Sequence, residues 1–320
     1  MTRIVYLGFP TGGISGGQKV ILRHAEALAT LGFDAIFWTN PSCNVPEWVS
    51  HTARVEIGTP FRSDDILVVP SDAPNALKAT GPMPQRTVIF CQNHYELAAY
   101  GFPGADAHFG PSFLGFFACG RAVAASISRA FPTAPVEFLP CFADERIFRP
   151  APERREGIAL VPRKRMFEAQ VIRNLFCRLT PRHAGLPWWS IQNIPEAEVA
   201  ELLGSATLHL SLNRYEGTGM TLLEALASGC VVAGFTGLGS REYTTATNGY
   251  WVEEDDCEAA ADALAQAADL VRTGGSPLRH MREDAAETAR RWSYAGFVTR
   301  LEEVWMRLAP DARRSSGAAE

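Results

Sequence analysis

Nowhere in its 320 residues does the chain offer an apolar run near the ~20 residues that a membrane-crossing helix requires. Its opening, MTRIVYLGFP, has too short an apolar stretch for a signal peptide and continues into a strand-like segment. The seven cysteines (43, 91, 119, 141, 177, 230 and 257) form no C-x-x-C pair. Most sit in apolar stretches such as VIFCQ and FFACG, which reads as buried free thiols in a reducing, cytoplasmic compartment. Loose contact with the inner face of a membrane stays open on these grounds. No D-x-D motif occurs and the seven histidines show no ligand spacing, so no metal is implied. A net charge of −5 gives no electrostatic case for nucleic acid, and a charged ligand would have to be held by local cations. A Walker Lys-Ser/Thr and the G-x-G-x-x-G spacing are both missing.

What is present is an alternation of strand and helix patterns. RIVYLG, the loop GGISGG, the helix QKVILRHAEALATLG and the strand FDAIFWT follow in order, which is a βαβ unit and predicts a parallel sheet. DILVVP, TVIFCQ, FFACG and PVEFLPCF continue the strands, with helices at APNALKA and RAVAASISRAF. The Pro- and Arg-rich stretch 146–157 has no apolar period and reads as a link. A second series follows: strands IALVP, LPWWSIQ, ATLHLSL, CVVAGF and GYWV, with helices FEAQVIRNLFCRL, EAEVAELLG, MTLLEALAS and 255–271. Asp255-Asp256 read as a cap for the last of these. Segment 281–308 reads as helical with a dip near Trp292 and Ser293. The expected organisation is α/β: two Rossmann-like, doubly wound parallel-sheet domains at 1–145 and 146–291 around an interdomain cleft. A helix at 292–309 would return toward the first domain, and a polar tail at 310–320 would be disordered.

The stretch most in need of a function is RYEGTGMTLLEALAS, 214–228. Gly217 and Gly219 let backbone approach a ligand at the carboxyl end of a strand, where open α/β sheets bind ligands. The following helix offers unpaired N–H groups suited to phosphate. On it, Thr221, Glu224 and Ser228 form one narrow polar stripe among Leu and Ala. A carboxylate there needs donors, and a vicinal ribose diol would supply two. The bland reading stays open beside this: Glu216 as a charge favoured by the helix dipole and Glu224 paired with an Arg.

EGTGMTLLEALASGCVVA resembles the E-x7-E signature of retaining GT-B glycosyltransferases of glycosyltransferase family 4. GGISGGQKVILRHAEALATLGFDAIFWT, the segment FFACGRAVAASISRAF with PVEFLPCFADERIFRP, and TTATNGYWVEEDDCEAAADAL are similar to other parts of that family. The resemblance implies Glu216 on the donor sugar and Glu224 on the nucleotide ribose. It implies a cradle from Gly217, Thr218, Gly219, Met220, Thr221 and Leu222 for the diphosphate. The same resemblance places Arg163 on the departing phosphates. The family's following Lys is replaced by Glu168, so Lys164 or Arg165 would have to substitute. His94 would face the donor sugar, with a hydrogen-bonded structural histidine as the alternative. Gly12, Gly13 and Gly16 of the first loop would approach diphosphate or acceptor, or serve only as a turn and cap.

The implied activity is metal-independent, retaining transfer of a hexose-type sugar from a nucleotide-diphosphate sugar to an acceptor hydroxyl on a glycan, a lipid-linked molecule or a small molecule. No further cofactor is implied. Three other readings stand beside it. One is a catalytically silent member binding a sugar nucleotide or a partner glycosyltransferase, and another is a GT-B epimerase. The third is a nicotinamide enzyme with Asp34 as its ribose carboxylate. Trp188-Trp189 read as core, with an aromatic platform as the alternative. Only LPWWSIQ fits as a strand between IALVP and ATLHLSL, one strand–helix pair fewer than the family leads one to expect, so the second domain should be compact.

Overall fold

The computed structural model describes residues 2–9 and 13–314. The chain folds as two units, Met1–Cys141 with Phe297–Glu320, and Phe142–Gly296. In the first unit seven strands lie in one sheet: β1 (Ile4–Leu7), β2 (Ala35–Thr39), β3 (Val55–Ile57), β4 (Ile66–Pro70), β5 (Arg86–Cys91), β6 (Phe113–Ala118) and β7 (Val136–Phe138). Their order is β3-β2-β1-β4-β5-β6-β7 and every pairing is parallel. Strands buried on both faces must be apolar along their whole length, which is why IVYL and ILVV carry no alternation.

The second unit holds β8 (Arg155–Leu160), β9 (Trp188–Ser190), β10 (Ala206–Leu212), β11 (Val231–Phe235) and β12 (Tyr250–Val252). They are again all parallel, in the order β12-β11-β10-β8-β9. Alternate residues of these strands feed two cores. Ile158, Leu208, Leu210, Val231 and Phe235 pack with Ile172, Phe176 and Leu264 from helices Met166–Leu179 and Cys257–Thr273. Ala159 and Val232 pack on the other face with Leu203, Leu222, Leu223 and Leu226, from helices Glu196–Ser205 and Met220–Ala227. Strand β9 alone lies between β8 and β10 in the chain, the compact arrangement that the sequence led one to expect.

Several segments differ from the sequence reading. The link 146–157 is folded into the second unit. Phe148 is buried, the Ala151 N–H donates to the Gly204 carbonyl (3.0 Å), and Arg154 donates to the Ser228 carbonyl (2.9 Å). Strand β3 was not expected, because VEI is too short and too polar to show a period. Residues 94–106, to which the sequence pattern assigns no element, form a helix interrupted by one π-turn. The dip at Trp292 and Ser293 is a full break between helices Gly275–Arg291 and Tyr294–Leu308, and Glu145 accepts from the Tyr294 and Ala295 N–H groups (2.7 and 3.0 Å) to start the second.

Helix Tyr294–Leu308 ends among residues of the first unit, where the buried Trp305 donates to the Tyr6 hydroxyl (3.2 Å) and Arg300 donates to the Phe138 carbonyl (3.1 Å). The tail needs correction at 310–314. Ala312 is buried and its carbonyl accepts the Asp34 N–H (2.9 Å), while the Arg314 N–H bonds the Gly32 carbonyl (2.9 Å). Backbone partners order these residues together with side-chain pairs, Asp311 with Thr2 and Arg313 with Glu302 (2.9 Å), which a polar tail does not announce. Tail residues 315–320 lie outside the described residues. Among the described residues no helix is long and apolar enough to cross a membrane.

Two histidines are entombed in the sheets' surroundings. His24 packs against Tyr6, Phe90 and Phe297, and burial pushes its pKa down to about 3; His209, within β10, is pushed down to about 4. Both are therefore neutral in the folded chain near pH 6, while their unfolded counterparts titrate near ~6.5. The stability that this difference carries is present above the unfolded value and is lost as pH falls toward the folded values. Urea unfolding should show stability dropping by up to ~3 kcal/mol per pH unit between about pH 6 and pH 4 from these two groups. His209→Val should flatten that slope by about one proton, and an unchanged slope would show that His209 does not carry the effect.

Candidate functional site

The order of the second sheet reverses direction between β8 and β10, which are neighbours in space but not in sequence. At such a switch point the turns leaving the two strands diverge and leave a crevice. The turn after β8 carries Arg163, Lys164 and Arg165, and the turn after β10 carries Asn213 to Gly219. The two turns meet through Lys164. Its Nζ lies 2.8 Å from Glu216 Oε1 and donates to the Tyr215 carbonyl at 3.2 Å. Arg163 is exposed on the same turn.

The Glu216 turn is shaped by its backbone. Gly219 takes φ +79°, and a Cβ there would overlap both Ser240 Oγ and Asn213 Nδ2. Asn213 donates to Ser240 Oγ (2.7 Å), Ser240 donates to the Thr218 carbonyl (3.0 Å), and the Tyr243 hydroxyl donates to the Gly219 carbonyl (2.8 Å). Gly239 presses on the same turn, where a Cβ would come within 2.7 Å of the Glu216 carbonyl and overlap that of Gly217. Carbonyls 216–219 are thus turned toward residues 237–243. In trans peptides the N–H groups that follow point the opposite way. Thr218 and Gly219 are buried, while Met220 and Thr221 are partly exposed at the start of helix Met220–Ala227.

Leu222 is placed differently from the expectation for it. Its N–H already donates to the Gly219 carbonyl (3.1 Å) and its side chain is fully buried, so of the residues expected in the cradle Leu222 has its amide engaged within the turn. Glu224, one turn further along that helix, is 4% exposed. Ser228, which continues the polar stripe, is fully buried, and its Oγ has no hydrogen-bond partner among the described residues.

Arg165 is a brace rather than a spare cation. It is buried beneath the Phe235 ring (4.4 Å to the centroid), bonded to Glu254 and Asp255, and 3.4 Å from Glu168. Glu254 in turn accepts the Gly237 N–H (2.8 Å). Glu168, which stands where the family has a Lys, also holds Arg214 (3.1 Å). Of the two residues offered as the second cation, Lys164 therefore reaches the Glu216 turn and Arg165 fixes the loop behind it.

In the first unit, His94 follows β5 and is buried, with its ring against Tyr95 (4.1 Å between centroids). Burial lowers its pKa, and its Nδ1 has no hydrogen-bond partner among the described residues. Gln92, two positions earlier, donates to the Gly17 carbonyl (3.2 Å), so the end of β5 meets the glycine loop. Gly16 opens helix Gly16–Thr30 and Gly13 is exposed before it; Gly12 lies outside the described residues.

Residues 190–292 match the family described as "Glycosyl transferases group 1". Over 276 residues the chain is 26% identical to an alpha-1,6-glucosyltransferase of Actinobacillus pleuropneumoniae serotype 7, covering 83% of each protein. Together, the family match, the relative and the fold support a GT-B glycosyltransferase of group 1. The fold agrees with solved structures. Anabaena Alr3699/HepE in complex with UDP and glucose superposes with a TM-score of 0.71 at 12% identity, over 95% of this chain and 99% of that one. Sucrose-phosphate synthase from Thermosynechococcus elongatus gives 0.71 at 13% identity, over 97% of this chain and 100% of the other. As a group 1 GT-B enzyme the glycosyltransferase takes nucleotide-sugar donors.

Other sequence candidates are engaged in structural roles. Asp34, the nicotinamide candidate, is buried and ion-paired with Arg54 (3.0 Å). Trp188 packs edge-on to Phe176 and Trp189 covers Gly157, so the tryptophan pair is core. Asp256 caps helix Cys257–Thr273 by accepting the Ala259 N–H (2.9 Å). Sequence reasoning missed Asn213, Gly237, Gly239, Ser240, Tyr243 and Glu254. The two glycines of GLGS after strand β11 were the available signal for close backbone approach.

The two basic residues should behave oppositely in the glycosyltransferase. Lys164 and Glu216 are each about 30% exposed (29% and 31%), so Lys164→Met should change stability by less than about 1 kcal/mol. Arg165→Met leaves acidic partners around a buried site, and should cost about 3 kcal/mol in urea unfolding, the low end for a broken buried pair because Glu254 and Asp255 keep some water. Equal losses from the two variants would sink the distinction.

Proposed function

We propose that the glycosyltransferase moves glucose from UDP-glucose to a saccharide hydroxyl with retention of configuration, in the manner of glycosyltransferase family 4. Glu216 binds the sugar, Glu224 takes the ribose diol, and the amides from Gly217 to Thr221 face the diphosphate. His94, with its pKa lowered by burial, would meet a ligand as a neutral imidazole, and the glycine loop of the first unit remains a proposed contact for diphosphate or acceptor. The observation that carries this reading is the 2.8 Å pair between Lys164 and Glu216 at the switch point. Such a partly exposed pair is worth only ~0–1 kcal/mol, so a diphosphate can take over Lys164 and leave Glu216 to the sugar.

Charge grows on the diphosphate as the C1–O bond breaks. In this reading Lys164, Arg163 and the helix-start amides meet that charge, with no metal required. The acceptor oxygen bonds C1 on the face that the diphosphate leaves, and its proton passes to the departing phosphate oxygen. The choice of UDP-glucose is supported by the HepE complex with UDP and glucose, and the saccharide acceptor and an α-linked product by the name of the alpha-1,6-glucosyltransferase relative. In this reading the reaction takes place in the cytoplasm, which the seven free cysteines support.

Glu216→Ala should lower turnover at saturating donor by up to ~10²–10³-fold; near-normal turnover would refute its role. Lys164→Met should lower turnover on a similar scale while the protein stays folded. For Arg163→Ala, calorimetry should show weaker UDP binding, and an unchanged affinity would remove it from the phosphate site. Proton NMR of the initial product should show an α linkage, and a β linkage would overturn retention.

A further inference from the structure

Strand β12 is the outer strand of the second sheet, and its free side opens into a cavity of about 700 Å³. That volume lies within the range of small-molecule sites. No residue of the Lys164 or Glu216 turns lines it. Its floor is Ala259 and Ala263 of helix Cys257–Thr273, and its walls carry Tyr250, Trp251, Asp262 and Gln266. Residues 259, 262, 263 and 266 share one helix face, so the two alanines hold open the space that the longer side chains border. The walls are rigid. Trp251 Nε1 donates to the Thr245 carbonyl (2.8 Å), and the buried Asn248 ties the same turn to Tyr243 and Thr288 (2.8 and 3.0 Å). By contrast, the side-chain polar groups of Tyr250, Asp262 and Gln266 have no hydrogen-bond partner among the described residues.

A second hollow of about 500 Å³ shares Trp251, Val252 and Ala259 with the first and reaches Thr236. Thr236 precedes Gly237, where the loop behind the Glu216 turn begins. The two hollows therefore make one track that leads from the sheet edge toward the catalytic turn.

We infer that this track is a second saccharide-binding subsite, holding a neutral oligosaccharide acceptor at a distance from its reacting end. The inference rests on the proposed saccharide acceptor. The apolar C–H face of a sugar ring fits the Tyr250 ring, which lies on the same face of the sheet as helix Cys257–Thr273, while Asp262, Gln266 and the Tyr250 hydroxyl offer acceptors and donors to its hydroxyls and Trp251 borders the edge from the other face. The larger cavity has no Lys or Arg in its lining and one carboxylate, which disfavours a nucleotide or any other phosphate. A peptide strand added to β12 would gain few ladder bonds from a three-residue edge and would leave Asp262 and Gln266 unused.

The test is calorimetry with isomaltotriose and longer isomalto-oligosaccharides at saturating UDP, on the wild type, on Asp262→Ala/Gln266→Ala and on Ala259→Trp, which fills the floor. Both variants should weaken oligosaccharide binding at least tenfold. Each should raise KM for a long acceptor by a similar factor, with kcat and the turnover of a monosaccharide acceptor unchanged. Absence of oligosaccharide binding, or binding indifferent to both variants, overturns the subsite. So does self-association in light scattering that Val252→Lys abolishes, because the edge would then pair with a second copy. Binding is read without turnover, so a failure of Glu216 chemistry and a failure of this subsite are told apart.

Discussion

The site depends on a contact between two stretches of backbone. The turn carrying Glu216 lies so close to residues 237–240 that no side chain fits at Gly239. That contact draws carbonyls 216–219 to one side and sends the following amides to the other. It holds because Glu254 accepts the Gly237 N–H while buried Arg165 grips Glu254 from behind. A positively charged side chain thus shapes the Glu216 turn from behind, without being part of it.

The same turn shows how a weak interaction and a strong one share a site. Arg165 is enclosed by three carboxylates and an aromatic ring, and releasing it would leave charges without partners. Lys164 keeps contact with water and a single carboxylate, so it can exchange that partner for another anion at little cost. A rigid cradle and an exchangeable cation are what a reaction with a departing diphosphate asks of a protein.

Much of the candidate site was legible in the chain. Strands of continuous apolar residues, helices at 3.6-residue spacing and the E-x7-E stretch each follow from local pattern, and they placed Glu216 before, and Glu224 within, a helix that follows β10. Other features were not legible because their cause is not local. Strand β3 exists only because β2 offers it an edge, and the helix at 94–106 overrides Gly101, Pro103 and Gly104. Glu168, read as a departure that left a phosphate cation missing, is the residue that ties Arg165 and Arg214 together.

By itself the sequence determined the αβ alternation, two sheets and a pair of glutamates eight residues apart, because periodicity and turn chemistry act over a few residues. Only the tertiary structure decided which of two adjacent cations meets Glu216 and which one braces the loop behind it. Arg165 finds Glu254 and Asp255 across some ninety residues of chain, and no local pattern records a meeting that the order of the strands in the sheet brings about.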